Sequence, residues 1–108
     1  MRAVPLSFVA LALALLASAC SAKMPPLATA LDAERANVQL VDLQQGRQSY
    51  IAKCRGCHGL PMPTEYKPTE WPKKVAEMAE RAKIDDAERR AIEQYLVVMS
   101  TPSPQPGK

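Results

Sequence analysis

From about residue 38 to residue 100, apolar positions recur at spacings of three and four, the period of helices that bury one face. Between Val38 and Lys53 the stripe is Leu43, Gly46, Tyr50 and Ile51, continued by Cys54, and Asp42 is placed to cap its start. A second helix is expected to open at Thr69 as N-cap, with Pro72 in the first turn, where its missing N–H does no harm. Its stripe is Trp71, Val75, Met78, Ala79 and Ala82. The third helix starts at Asp85-Asp86-Ala87-Glu88, a capping box in which Asp85 takes the N3 amide and Glu88 reaches back. Ile84, Ala91, Ile92, Tyr95, Leu96 and Met99 form its stripe. Gly59 to Pro68 carries Pro61, Pro63 and Pro68 and reads as loop. Leu31 to Val38 could form a turn or two of helix, although its apolar positions are sparse. No stretch alternates with the period of a strand, so an all-α domain of about three helices is expected over residues 38–100.

The ends read differently. Leu6 to Leu16, LSFVALALALL, is an unbroken apolar run that follows Arg2 and ends in Ala17-Ser18-Ala19, the three parts of an export signal over residues 1–19. It falls short of the roughly 20 residues that a membrane-spanning helix needs. Residues 20–37 are expected to be a tether, since SAKMPPLA is small, Pro-containing and without period. The last eight residues, TPSPQPGK, cannot continue a helix and are expected to form a disordered tail over 101–108.

Charge adds little. Once Arg2 leaves with the signal, 13 basic residues stand against 11 acidic ones, a mixed surface that does not point to nucleic acid. Lys53, Arg55, Lys67, Lys73 and Lys74 hint at an acidic partner, but an ordinary solvated surface explains them as well. Size matters more. With one Trp and no Phe beyond the signal, the mature chain can bury little surface by itself, and something else is expected to complete its core.

The candidate is written in Cys54-Arg55-Gly56-Cys57-His58, which contains the single histidine of the chain. A structural zinc site wants four ligands, and this stretch offers three. A redox thiol pair wants its first cysteine at a helix N-terminus beside a strand, whereas this pair follows a helix. A disulfide across two residues closes too small a loop to stabilise much. In C-x-x-C-H, by contrast, the two thiols add to the two vinyl groups of haem, and the adjacent imidazole binds the iron from one face. Haem c on Cys54 and Cys57, with His58 as axial ligand, is therefore expected. Export fits, because this attachment is made outside the cytoplasm.

With these residues in view, Gly46-Arg47-Gln48-Ser49-Tyr50 and CRGCH resemble the first helix and attachment site of class I c-type cytochromes. The segment with Glu88, Ile92, Tyr95 and Leu96 resembles that family's last helix, so the likeness spans about residues 42 to 99. It implies that first and last helices cross closely, Gly46 and Tyr50 facing Ile92 and Tyr95. It also implies a carbonyl from Pro61 or Pro63 near the His58 ring. Trp71 would stack near the haem edge, donate its N–H to a propionate, or simply pack the loop. Leu16-Ala17-Ser18-Ala19-Cys20 resembles the lipobox of bacterial lipoproteins, with Ala17 where that family usually has Leu. That likeness implies an acylated N-terminal Cys20; simple cleavage after Ala19 is the other reading.

For the second axial position, Met24 lies in the tether, Met62 follows His58 too closely between two prolines, and Met99 belongs to the last helix. Met78 is left, in a position comparable to the family's ligand upstream of the last helix, although here it falls on a helix rather than in a loop. If Met78 is core filler, the iron is five-coordinate or takes Lys. A His58–Met78 centre would exchange one electron and offer no vacancy to substrate. The expectation is a non-enzymatic electron carrier at the periplasmic face of a bacterial membrane, tethered by lipid or else soluble, serving redox-protein donors and acceptors. A haem-based sensor and a fixed haem subunit of a larger oxidoreductase are the alternatives.

Overall fold

The computed structural model describes residues 23–55 and 59–103. They form four helices and one short 3-10 turn and contain no strand, so the all-α expectation holds. The helices are α1 (Ala30–Ala36), α2 (Leu40–Cys54), α3 (Trp71–Ala82) and α4 (Asp86–Met99), with the 3-10 turn at Pro63–Glu65.

The starts of the helices show which local signals prevailed. Asp85 caps α4 as expected, its carboxylate accepting from the Glu88 amide at 2.8 Å, but the expected return bond from the Glu88 side chain to the Asp85 N–H does not form, so the box is half made. α2 begins three residues ahead of the anticipated cap. Gln39 is its N-cap and makes no side-chain bond, and Asp42 falls in the first turn, where its charge faces the positive end of the helix. α3 is capped at Glu70, not Thr69, and Pro72 still sits in the first turn. The Glu70 carboxylate accepts from the Lys67 amide at 2.8 Å and the Glu70 N–H donates to the Lys67 carbonyl at 3.0 Å, closing a turn ahead of the helix. Asn37 and Lys83 end α1 and α3 in the left-handed region, at φ 54° and 53°.

The tether and tail expectations need correction. Residues 25–36 are packed against the domain. Pro25, Ala28 and Ala33 are buried, and α1 is closed by a full capping box between Thr29 and Asp32. The Pro25 carbonyl accepts from Arg47 Nε at 2.8 Å, and the Pro26 carbonyl accepts from the Tyr95 hydroxyl at 2.5 Å. The start of the tail is equally fixed. The Ser103 amide donates to the buried Asp32 carboxylate at 2.8 Å, and Arg35 donates to Ser103 Oγ and to the Val98 carbonyl. A Pro-rich, aperiodic segment can thus be ordered when its carbonyls meet donors from elsewhere.

The core lies mainly between α2 and α4, which make the most extensive helix contact, and α3 closes it. Leu43, Tyr50, Trp71, Val75, Ile92, Tyr95, Leu96 and Met99 are essentially removed from solvent. These belong to the three stripes read from the periodicity. The close crossing is also present. A Cβ added to Gly46 would lie 2.1 Å from the Ala91 carbonyl oxygen and 2.8 Å from Tyr95 Cβ, so only glycine fits this approach. The Tyr50 and Tyr95 rings meet beside it, 6.4 Å between centroids.

Candidate functional site

The core-facing stripe of α2 runs Leu43, Gly46, Tyr50 and reaches Cys54 in the last turn. Cys54 is half-buried against the core, and burial pushes its thiol pKa up. Cys57 and His58, with Gly56 between the two thiols, lie outside the described residues, as does Cys20.

From Pro61 onward the chain is held by two aromatic donors. The Tyr50 hydroxyl, one turn before Cys54 on α2, donates to the Pro61 carbonyl at 2.7 Å. The Trp71 indole N–H, at the first residue of α3, donates to the Pro63 carbonyl at 2.9 Å. The amide of Met62 between them donates to the Glu65 carboxylate. Two buried rings therefore fix the loop at Pro61 and Pro63. Burial pushes the Tyr50 hydroxyl pKa well up, and that of Tyr95 up to about 12, so both stay protonated donors at neutral pH.

These bonds bear on the N–H of Trp71. Its ring is fully buried and its N–H is used by Pro63, which is loop packing rather than an exposed donor for a propionate. The stretch 59–68 is also not all irregular, since Pro63–Glu65 makes a 3-10 turn with Pro63 at its start. Trp71 stands edge-on to Tyr50 at 6.5 Å and to Tyr66 at 5.1 Å. Lys74 Nζ lies 3.8 Å from the centre of the Tyr66 ring, a cation–π contact. Tyr66 carried no distinguishing signal in sequence, because a lone aromatic in a proline-rich loop has no period to place it, and Lys74 was legible only as a surface charge.

Among the methionines described, Met99 is fully buried in the core and Met24 is 43% exposed. Met62 and Met78 are half-buried. Met78 lies on the α3 stripe beside the buried Val75 and Ala79, with its thioether at the margin of the core. Leu60, Tyr66, Ile84 and Cys54 are likewise partly buried and packed against the core. Taken by chemistry alone, a half-buried thiol that can be alkylated and a half-buried thioether that can serve as a soft donor are compatible with haem.

A polar cleft of about 300 Å³ lies elsewhere, lined by Asp42, Gln45, Arg90, Ala91 and Gln94. Asp42 is 12 residues before Cys54, about 18 Å along the helix axis, so this cleft belongs to the other end of α2. No group of three or more His, Cys, Asp or Glu suited to a metal ion occurs among the described residues, which exclude Cys57 and His58. No described helix is long and apolar enough to cross a membrane. Comparison of the chain with family models, with curated proteins and with solved structures finds no match.

Proposed function

We propose that the chain is a monohaem electron carrier of the c-type cytochrome kind, exported and held at the periplasmic face of a membrane through Cys20. One observation carries this reading. The only C-x-x-C-H of the chain begins at a half-buried thiol on the core-facing stripe of α2, and the residues just past it are held by Tyr50 and Trp71.

Cys54 and Cys57 would hold the porphyrin covalently, with His58 and Met78 as axial ligands. When bound, the group supplies reversible one-electron exchange at its iron. The chain's own contribution is positional. Tyr50 and Trp71 hold the Pro61 and Pro63 carbonyls just beyond the attachment motif. The half-buried Met78 needs little side-chain ordering to reach inward, and its α3 neighbours Val75 and Ala79 exclude water from that side. Met62 is the less suited thioether, because its amide is bonded to Glu65 and both flanking proline carbonyls are engaged. Partners would be redox proteins docking transiently as donor and acceptor.

The test is a haem stain of the denatured protein from cells that mature cytochromes, followed by an absorption spectrum. Stain is expected in the parent and not in Cys54→Ala/Cys57→Ala. The weak far-red band of Met–Fe(III) ligation is expected in the parent and in Met62→Ala, and not in Met78→Ala. An unstained parent, recovered at its peptide mass plus at most lipid, overturns the proposal. A stained parent without the far-red band has no Met ligand, so its iron is five-coordinate or takes Lys, and the five-coordinate case replaces the carrier with an open-site sensor.

A further inference from the structure

Four aromatic rings form one connected chain through the core. Tyr66 stands edge-on to Trp71 with 5.1 Å between centroids, Trp71 edge-on to Tyr50 at 6.5 Å, and Tyr50 tilted against Tyr95 at 6.4 Å. Rings in such contact exchange an electron readily, so the hole left by oxidising any one of them is shared until something fixes it. What fixes it is a proton. One-electron oxidation turns a phenol into a strong acid, and a tyrosine is oxidised easily only where the released proton has somewhere to go.

Three of the four rings have nowhere to send it. The Tyr50 hydroxyl, the Trp71 indole N–H and the Tyr95 hydroxyl donate to the carbonyls of Pro61, Pro63 and Pro26 respectively. An amide carbonyl accepts a hydrogen bond but is far too weak a base to take the proton itself. All three rings are removed from solvent, and burial pushes the Tyr50 and Tyr95 hydroxyl pKa values up. Tyr66 differs on each count. It is partly open to solvent, and its hydroxyl makes no hydrogen bond among the described residues. No buried side-chain oxygen of those residues lacks a partner, so the Tyr66 hydroxyl reaches water. Lys74 Nζ lies 3.8 Å from the ring centre, where its charge opposes a cationic ring but not a neutral one. Tyr66 therefore gives up its electron together with its proton.

We propose that Tyr66 is a redox-active outlet, the residue on which one-electron oxidation of the aromatic core comes to rest. Trp71, oxidised to its radical cation, takes one electron from Tyr66. The Tyr66 O–H bond breaks, its proton passes to water, and a neutral indole is left beside a neutral Tyr66 phenoxyl. The oxidant is a one-electron acceptor of the class of carbonate or peroxide-derived radicals. A thiol restores the phenol by giving up one hydrogen atom. The buried rings, and the proline carbonyls they hold, are thereby kept chemically intact. None of this requires haem, so it stands or falls separately from the function proposed above.

The test uses the full protein as recovered from cells. Trp71 is the single tryptophan, so light at the red edge of the indole band excites it and no tyrosine. A cobalt(III) ammine takes the electron irreversibly, and rapid freezing traps the resulting radical for electron paramagnetic resonance. A tyrosyl signal is expected in the parent, recognised by its narrowing when the tyrosine rings are deuterated. Tyr66→Phe should lose that signal and keep a tryptophanyl one, whereas Tyr50→Phe and Tyr95→Phe should leave it unchanged. Surface access of the reagent to Tyr66 cannot mimic this result, because oxidation begins at the fully buried Trp71. A parent that holds a tryptophanyl radical overturns the proposal. So does a tyrosyl signal that survives in Tyr66→Phe, since the hole then rests on a buried ring. If Tyr66→Phe alters the circular dichroism spectrum, the parent in heavy water decides. Loss of the tryptophanyl signal should slow there, because an O–H bond breaks in the same step, and an unchanged rate refutes the proposal.

Discussion

Replacing Gly46 by alanine adds one methyl group at the tightest point of the molecule. The new Cβ would stand 2.1 Å from the Ala91 carbonyl oxygen and 2.9 Å from the Ala91 carbonyl carbon, both main-chain atoms of α4. Ordinary contact begins near 3.4 Å, so α2 and α4 must separate by about 1 Å. A gap of that size forfeits roughly a quarter to a half of the dispersion energy across the seam. Overpacking typically costs about 1–3 kcal/mol, sometimes more. An obstacle made of backbone, with Tyr50, Ile92 and Tyr95 packed around it, puts this case near the upper end, at about 3–4 kcal/mol. Alanine returns about 1 kcal/mol through its better helix propensity. The net loss is about 2–3 kcal/mol, which for a domain this small lowers Tm by about 10–20 °C.

Thermal denaturation followed by circular dichroism measures this directly. Gln48→Ala, on the exposed side of the same helix, is the control and should stay within about 0.5 kcal/mol of the parent. The double change Gly46→Ala/Ala91→Gly tests the cause. Because the obstacle is the Ala91 carbonyl and not its methyl group, trimming Ala91 should give no rescue. If Gly46→Ala is as stable as the parent or more so, helix propensity outweighs packing and the close crossing of α2 and α4 is wrong.

Three further outcomes are expected. Trp71→Phe keeps most of the buried ring but leaves the Pro63 carbonyl without its donor, a loss of about 2 kcal/mol in chemical denaturation. Tyr50→Phe removes only the bond to Pro61, about 1 kcal/mol, and should speed proteolysis in residues 55–62 more than elsewhere. Asp32 gives the pH dependence. Burial alone would raise its pKa, but hydrogen bonds from Ser103 and Thr29 outweigh that and hold it at about 2. An unfolded aspartate titrates near 3.9, so the folded value is depressed. Its stabilisation, roughly 2.5 kcal/mol, is therefore complete above about pH 4 and lost as pH falls toward 2. Asp32→Asn should flatten this part of the stability curve; an unchanged slope between pH 4 and 2 would rule out the clasp between α1 and Ser103.

The three main helices were legible because each must bury a stripe, and a stripe at spacing three and four needs only local geometry to be recognised. The Asp85 cap was legible for the same reason, since donor and acceptor lie three residues apart. The starts of α2 and α3 were not. There the nearest good capping residues, Asp42 and Thr69, lost to a longer packed stripe and to a turn closed by Glu70. The candidate haem chemistry was legible in five consecutive residues, because spacing along the chain sets what two thiols and an imidazole can reach. The pairing of Tyr50 with Pro61, of Trp71 with Pro63 and of Asp32 with Ser103 was not, since bonds to a carbonyl or an amide leave no side-chain pattern in the partner. What the sequence alone determined is the helical class, the Gly46 crossing expected by resemblance and the chemistry available at CRGCH. Only the tertiary structure decided that residues 25–36 and 101–103 belong to the folded body, because the donors that hold them, Arg47, Tyr95 and Arg35, lie 22 to 69 residues from their partners.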